Sequence, residues 1–183
     1  MRQPISGNLH EGIERLDKAL AASANEPSSR FFQLATVGQQ GKPQNRTVVF
    51  RGMEKTPFSL FLVSDTESKK VADIAFNHHV SVCWYFEASR EQFVISGTAK
   101  VYQPHQNSNE HSKCVYYWQS LSQRAKAEYH GVVLKADTND IGDIDRLPDN
   151  FCVIGIQVQM IDYLDLYAEP NLSVLFQDPD IAK

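Results

Sequence analysis

A chain of 183 residues with 42% hydrophobic and 22% charged residues has the balance of a folded domain that buries a core. Its formal charge of −4 creates no global basic field, which argues against a nucleic-acid partner. No run of roughly 18 apolar residues occurs and the opening MRQPISGNLHEG lacks an apolar signal core, so no membrane span is expected and the cytoplasm is the expected location.

Ile13, Leu16 and Leu20 recur at helical spacing, which predicts an amphipathic helix over His10 to Ala22 with Asn8 as its cap. Asn25, Glu26 and Pro27 stop it. Five β-branched and aromatic segments then read as strands: Phe31 to Val37, Thr47 to Arg51, Phe58 to Val63, Val80 to Phe86 and Phe93 to Val101. Gly41, Gly52 and the stretch Glu87 to Arg90 supply turns between them. A short helix from about Thr66 to Phe76 interrupts the series, with Val71, Ile74 and Ala75 predicted to face inward. A longer helical stretch follows over Ser108 to Tyr129, with Val115, Trp118 and Leu121 on one face and a break near Ser122 to Arg124. Residues 136–150 are polar and turn-rich and read as a loop. Strands over Cys152 to Met160, Tyr163 to Ala168 and Leu172 to Phe176 complete the chain. Many short strands with few helices predict a barrel or sandwich with helices packed outside.

Cys83, Cys114 and Cys152 form no CxxC unit; Cys83 and Cys152 lie in apolar runs and read as buried small hydrophobes. His78 and His79 are neighbours, but no HExxH or HxH pattern accompanies them and no metal site is expected.

Four local features carry candidate chemistry. In VSDTESKK, residues 63–70, a strand ends and a helix begins, with Ser64, Asp65 and Thr66 as caps and Lys69 and Lys70 in the first turn. Cations are disfavoured there by the helix dipole unless an anion compensates, so the stretch reads as an anion site or as a capped surface helix with solvated lysines. In RTVVFR, residues 46–51, Arg46 and Arg51 bracket an apolar strand and fall on opposite faces if the strand is regular. They serve a ligand or solvate a strand end. Gln92, at a strand start, offers an amide to a heteroaromatic ring, and Trp118 reads as core before it reads as a cofactor stack.

Taken in order, these features resemble the pyridoxamine 5'-phosphate oxidase family, and more closely its oxidase-related FMN-binding branch of cyanobacteria and plants. The match runs over about residues 28 to 178. The resemblance implies a mainly β fold with peripheral helices, an FMN-binding split β-barrel, as one domain over 1–183 with residues 1–27 as an N-terminal helical extension. It implies FMN as cofactor, with Arg46 on its phosphate, Thr47, Val48 and Val49 along its ring and Arg51 where the oxidases carry a lysine. Ser68, Lys69 and Lys70 match the second phosphate element, with Ser64 and Asp65 upstream, and Gln92 matches the flavin-bonding glutamine. Ser122 and Gln123 resemble a pair that reaches the flavin from the opposing subunit, so a homodimer with FMN sites at the interface is expected. The arginine and histidine that grip the substrate in the oxidases have no counterpart in AEPNLSVLFQD, residues 168–178. The expected function is therefore an oxidoreductase that passes a hydride from an unidentified small substrate to flavin. The alternatives are pyridoxamine/pyridoxine 5'-phosphate oxidase and a non-catalytic FMN-binding protein. No catalytic residue is identified.

Overall fold

The computed structural model describes residues 5–131 and 143–178. Strand β1 (Ile5–Asn8) leads into helix α1 (Leu9–Ala22), and Asn8 caps that helix by accepting from the His10 amide at 2.8 Å. Strands β2 (Phe31–Val37), β3 (Pro43–Val49), β4 (Gly52–Lys55) and β5 (Phe58–Asp65) follow. Helix α2 (Lys69–Phe76) precedes β6 (His79–Phe86) and β7 (Glu91–Tyr102). Helices α3 (Ser108–Gln119) and α4 (Gln123–Tyr129) come before β8 (Phe151–Asp165) and β9 (Leu172–Gln177). Of the loop expected over 136–150, residues 136–142 lie outside the described residues, and 143–150 contain neither helix nor strand.

The nine strands form one sheet in the order β1-β9-β8-β7-β6-β2-β3, with β5 branching from β8 and β4 pairing only with β5. This corrects the expected barrel. Closure requires the two outer edges to pair, and β3 has a ladder to β2 alone. At Phe50 the chain leaves that ladder, and Arg51 makes a single backbone bond to the Phe61 carbonyl at 2.8 Å. The sheet is open and mixed, with helices at its periphery.

Strand β8 explains the branch. Its first half pairs with β5 up to Gln157 and its second half with β9 from Met160. The β7 register shifts at that point, Ser96 opposing Met160 while Gly97 opposes Val158. The unpaired extra residue bends the strand and hands it from one partner to the other. Two strands were expected here, Cys152 to Met160 and Tyr163 to Ala168, yet one continuous strand runs Phe151–Asp165 with Asp162 exposed on it.

The larger core lies between the inner face of the sheet and helices α1 and α2, with Leu16, Phe32, Leu34, Trp84 and Ile95 buried. A second core forms under α3 and α4 from Phe61, Tyr117, Trp118, Leu121, Phe151 and Val153. Trp118 is thus a core residue, its indole donating to the Asp145 carbonyl at 2.8 Å. Its helix buries Cys114 and Tyr117, and Val115 is only half-buried. Two further expectations fail on burial. Ala75 is exposed and Asp73 takes its place on the inward face of α2; Cys83 is half-buried because it alternates with Val82 and Trp84 and points to the other face of β6.

Candidate functional site

The strand β3 alternates, so that Gln44, Arg46 and Val48 turn inward while Asn45, Thr47 and Val49 turn to the outer face. Arg46 is not loose in solvent. Its Nη1 donates to the Leu34 carbonyl at 3.1 Å and to Thr36 Oγ1 at 2.8 Å, and its Nη2 lies 3.4 Å from Asp73 Oδ2. Arg51 lies beyond the strand end, half-buried, and its Nε is buried with no hydrogen-bond partner. Burial lowers its guanidinium pKa; the nearby Tyr129 works against that and Arg30 adds to it.

Across from β3, the end of β5 and the start of α2 bring hydroxyls and ammonium groups together. Ser64 and Ser68 hydroxyls are 2.8 Å apart, and Lys70 Nζ donates to Ser64 Oγ at 2.9 Å. Ser68 occupies the cap position of α2 but makes no side-chain cap bond, so its hydroxyl is turned toward Ser64 instead. Lys69 reaches outward to Gln44 Oε1 at 3.1 Å. Burial pushes the Lys70 ammonium pKa down, and repulsion from Arg46 pushes it further. Lys70 and two hydroxyls thus meet, near enough to Arg46 for the two cations to repel, a donor set that suits a phosphate dianion. Asp65 is committed elsewhere: it accepts from the Glu67 amide at 2.7 Å and from Asn150 Nδ2 at 2.5 Å.

The remaining candidates do not converge on this cluster within one chain. Val48 buries its side chain in the core, so only its backbone is available to a ligand. Gln92, on β7, lies on the same outer face as Thr47 and Val49 but three strand spacings away, roughly 14 Å. Ser122 caps α4 by accepting from the Ala125 amide at 3.3 Å, and Gln123 donates to Asp145 Oδ1 at 3.4 Å. Sequence reasoning missed Thr36 and Asp73. The available signal was Asp73 itself, a carboxylate between Val71 and Ile74 on the inward face of an amphipathic helix, which demands a buried donor as partner.

The profile of the family described as "Pyridoxamine 5'-phosphate oxidase, FMN-binding domain" matches residues 11–103. A protein of Arabidopsis thaliana, pyridoxine/pyridoxamine 5'-phosphate oxidase 2, is 28% identical over 168 residues, 84% of this chain and 82% of the plant protein. Bacterial pyridoxine/pyridoxamine 5'-phosphate oxidases align over 36% to 52% of their own length. The chain thus spans about half or less of those relatives. Among solved structures, a pyridoxamine 5'-phosphate oxidase-related, FMN binding protein of Nostoc punctiforme PCC 73102 superposes with a TM-score of 0.79 at 28% identity, covering 93% of this chain and 92% of that one. PhzG of Burkholderia lata 383 shares the fold, with a TM-score of 0.67 at 16% identity over 84% of this chain and 79% of its own.

Proposed function

We propose that this chain, which belongs to the pyridoxamine 5'-phosphate oxidase FMN-binding family and takes FMN as cofactor, is an FMN-dependent oxidoreductase whose flavin phosphate is held by Arg46, Ser64, Ser68, Lys69 and Lys70. The convergence of Lys70, Ser64 and Ser68 opposite Arg46 carries this reading. The unspent Nε of Arg51 agrees with it, because a buried donor without an acceptor is a costly arrangement that a ligand relieves. Thr47, Val49 and the backbone of Val48 line the ring in this reading, Asp65 supports the turn beneath the phosphate, and Gln92 meets the polar edge of the ring. Bound FMN supplies the redox chemistry by accepting a hydride equivalent from substrate. The residues of the chain bind and orient; none is assigned an acid or base role.

The site is completed by a second copy. The outer face of β2, β6 and β7 carries Phe31 and Tyr85, 45% and 43% exposed, beside Gln92 and the half-buried Cys83. We infer a homodimer closed across this face, with Ser122 and Gln123 of the partner chain reaching the flavin. Among the described residues no helix is long and apolar enough to cross a membrane, and a cytoplasmic dimer of single-domain chains is the form proposed. The alignments with the Nostoc and Arabidopsis proteins, which cover more than four-fifths of each chain against about half or less of the bacterial oxidases, support a place in the oxidase-related branch of cyanobacteria and plants.

The names of the relatives favour pyridoxine or pyridoxamine 5'-phosphate as the first substrate to test, over an unidentified small molecule. The stretch 168–178 has no arginine or histidine to grip it, so any grip comes from other donors, and Arg51 is the one proposed. The experiment is a visible spectrum of the purified protein with FMN, followed by anaerobic addition of pyridoxamine 5'-phosphate. A bound-flavin spectrum that bleaches supports the oxidase reading; one that stays oxidised sends the search to other reductants. In the same titration Arg46→Ala is expected to weaken FMN binding about ten-fold or more, and unchanged affinity would remove Arg46 from the site.

A further inference from the structure

We propose that Asp73 is a positioning residue for the phosphate end of the flavin site, holding Arg46 in the one orientation that leaves its binding edge free. This rests on the reading of Arg46 as a phosphate ligand. Asp73 is 5% exposed on the inward face of α2, where an ionised carboxylate is costly unless it is paired. It is paired twice through one oxygen. Thr36 Oγ1 donates to Oδ2 at 2.7 Å and Arg46 Nη2 approaches the same atom at 3.4 Å. Thr36 in turn accepts from Arg46 Nη1 at 2.8 Å, so the three side chains form a closed ring across β2, β3 and α2.

That ring consumes a particular part of the guanidinium. An arginine has five N–H donors in a planar fork. Both Nη1 donors go to Leu34 O and Thr36 Oγ1, and one Nη2 donor goes to Asp73. The donors left are Nε–H and the second Nη2–H, which lie side by side on one edge of the plane and suit a bidentate phosphate contact. The same carboxylate ties β3 to the helix whose first turn carries Lys69 and Lys70. It therefore ties together the two elements that carry Arg46 and Lys70, cations that repel each other. Gly38 is part of the device. A Cβ at that position would stand 2.5 Å from Asp73 Oδ1, so any side chain there displaces the carboxylate from its present position.

Two substitutions separate charge from position. Asp73→Asn removes the charge and keeps the shape, while Gly38→Ala keeps every charge and displaces the carboxylate. The measurement is fluorescence titration with FMN and with riboflavin, which has the same ring and no phosphate. Both variants are expected to weaken FMN about ten-fold, the loss of one charge-assisted contact, and to leave riboflavin affinity unchanged. Thr36→Val should behave like them, Thr36→Ser should restore wild-type affinity, and Asp73→Asn should add nothing to Arg46→Ala. An Asp73→Asn protein that binds FMN as well as wild type or better makes Asp73 only an opposing charge and overturns the proposal. Equal loss of riboflavin also overturns it, because the role is then general to the fold. Should Asp73→Asn not fold, Gly38→Ala and Thr36→Val decide the matter on the same readout. Wild-type protein that does not distinguish FMN from riboflavin sinks a different claim, the phosphate role of Arg46.

Discussion

At the residue scale, similar side chains divide by what surrounds them. Cys114 and Cys152 are completely buried, and burial pushes their thiol pKa values up to about 11 and about 12. Each donates weakly to a carbonyl, Cys114 to Tyr102 and Cys152 to Ser64. A thiol reagent needs the thiolate and a path to it. Native protein at pH 8 is therefore expected to leave Cys114 and Cys152 unmodified, and both should react once the chain is unfolded; labelling of either in the native state, read by mass spectrometry, contradicts their placement. The lysines of α2 divide in the same way, Lys69 exposed on Gln44 and Lys70 half-buried on Ser64. Their adjacency and their place at a helix start were legible in the sequence. Which one turns inward was not, because the helix starts at Lys69 rather than at Thr66.

At the element scale, the bulge in β7 and β8 is the point on which the sheet turns. Gly97 packs directly against the Gln157 carbonyl, and a Cβ at 97 would collide with backbone that no rotamer change can move. Gly97→Ala should cost about 3 kcal/mol in urea denaturation, at the upper end of overpacking effects; a loss within about 0.5 kcal/mol, typical of a surface change, would mean the strands separate there freely. Some element boundaries were readable and others were not: β3 was expected over Thr47 to Arg51 and runs Pro43–Val49. Phe31–Val37 is the strand its alternation predicts, and α1 starts at its asparagine cap. The strands that escaped notice, Ile5–Asn8 and Gly52–Lys55, are four residues each and contain no buried residue. A strand without a buried face leaves no period in its side chains.

At the scale of the whole molecule, the outer face shared by β2, β6 and β7 meets α3 at the Tyr102 end of β7 and is exposed at its other end. Phe31 and Tyr85 stand out from that face next to the strand that bears Arg46. If the proposed dimer closes there, Tyr85→Glu buries a charge opposite its own copy, and it should give a monomer in sedimentation velocity at micromolar concentration with FMN affinity reduced. A dimer that persists with Tyr85→Glu places the interface elsewhere.

The sequence by itself determined the local quantities: the alternating strands, the capped first helix, the serine-lysine turn at 63–70 and the pair of arginines at 46 and 51, because each depends on neighbours within a few residues. Only the tertiary structure decided that the sheet stays open, that β8 serves two partners and that Asp73 and Thr36 hold Arg46. Those outcomes depend on contacts between residues 10 to 98 positions apart in the chain. Neither periodicity nor composition records such pairings, since any inward carboxylate could be matched by any inward arginine until the strands choose their neighbours.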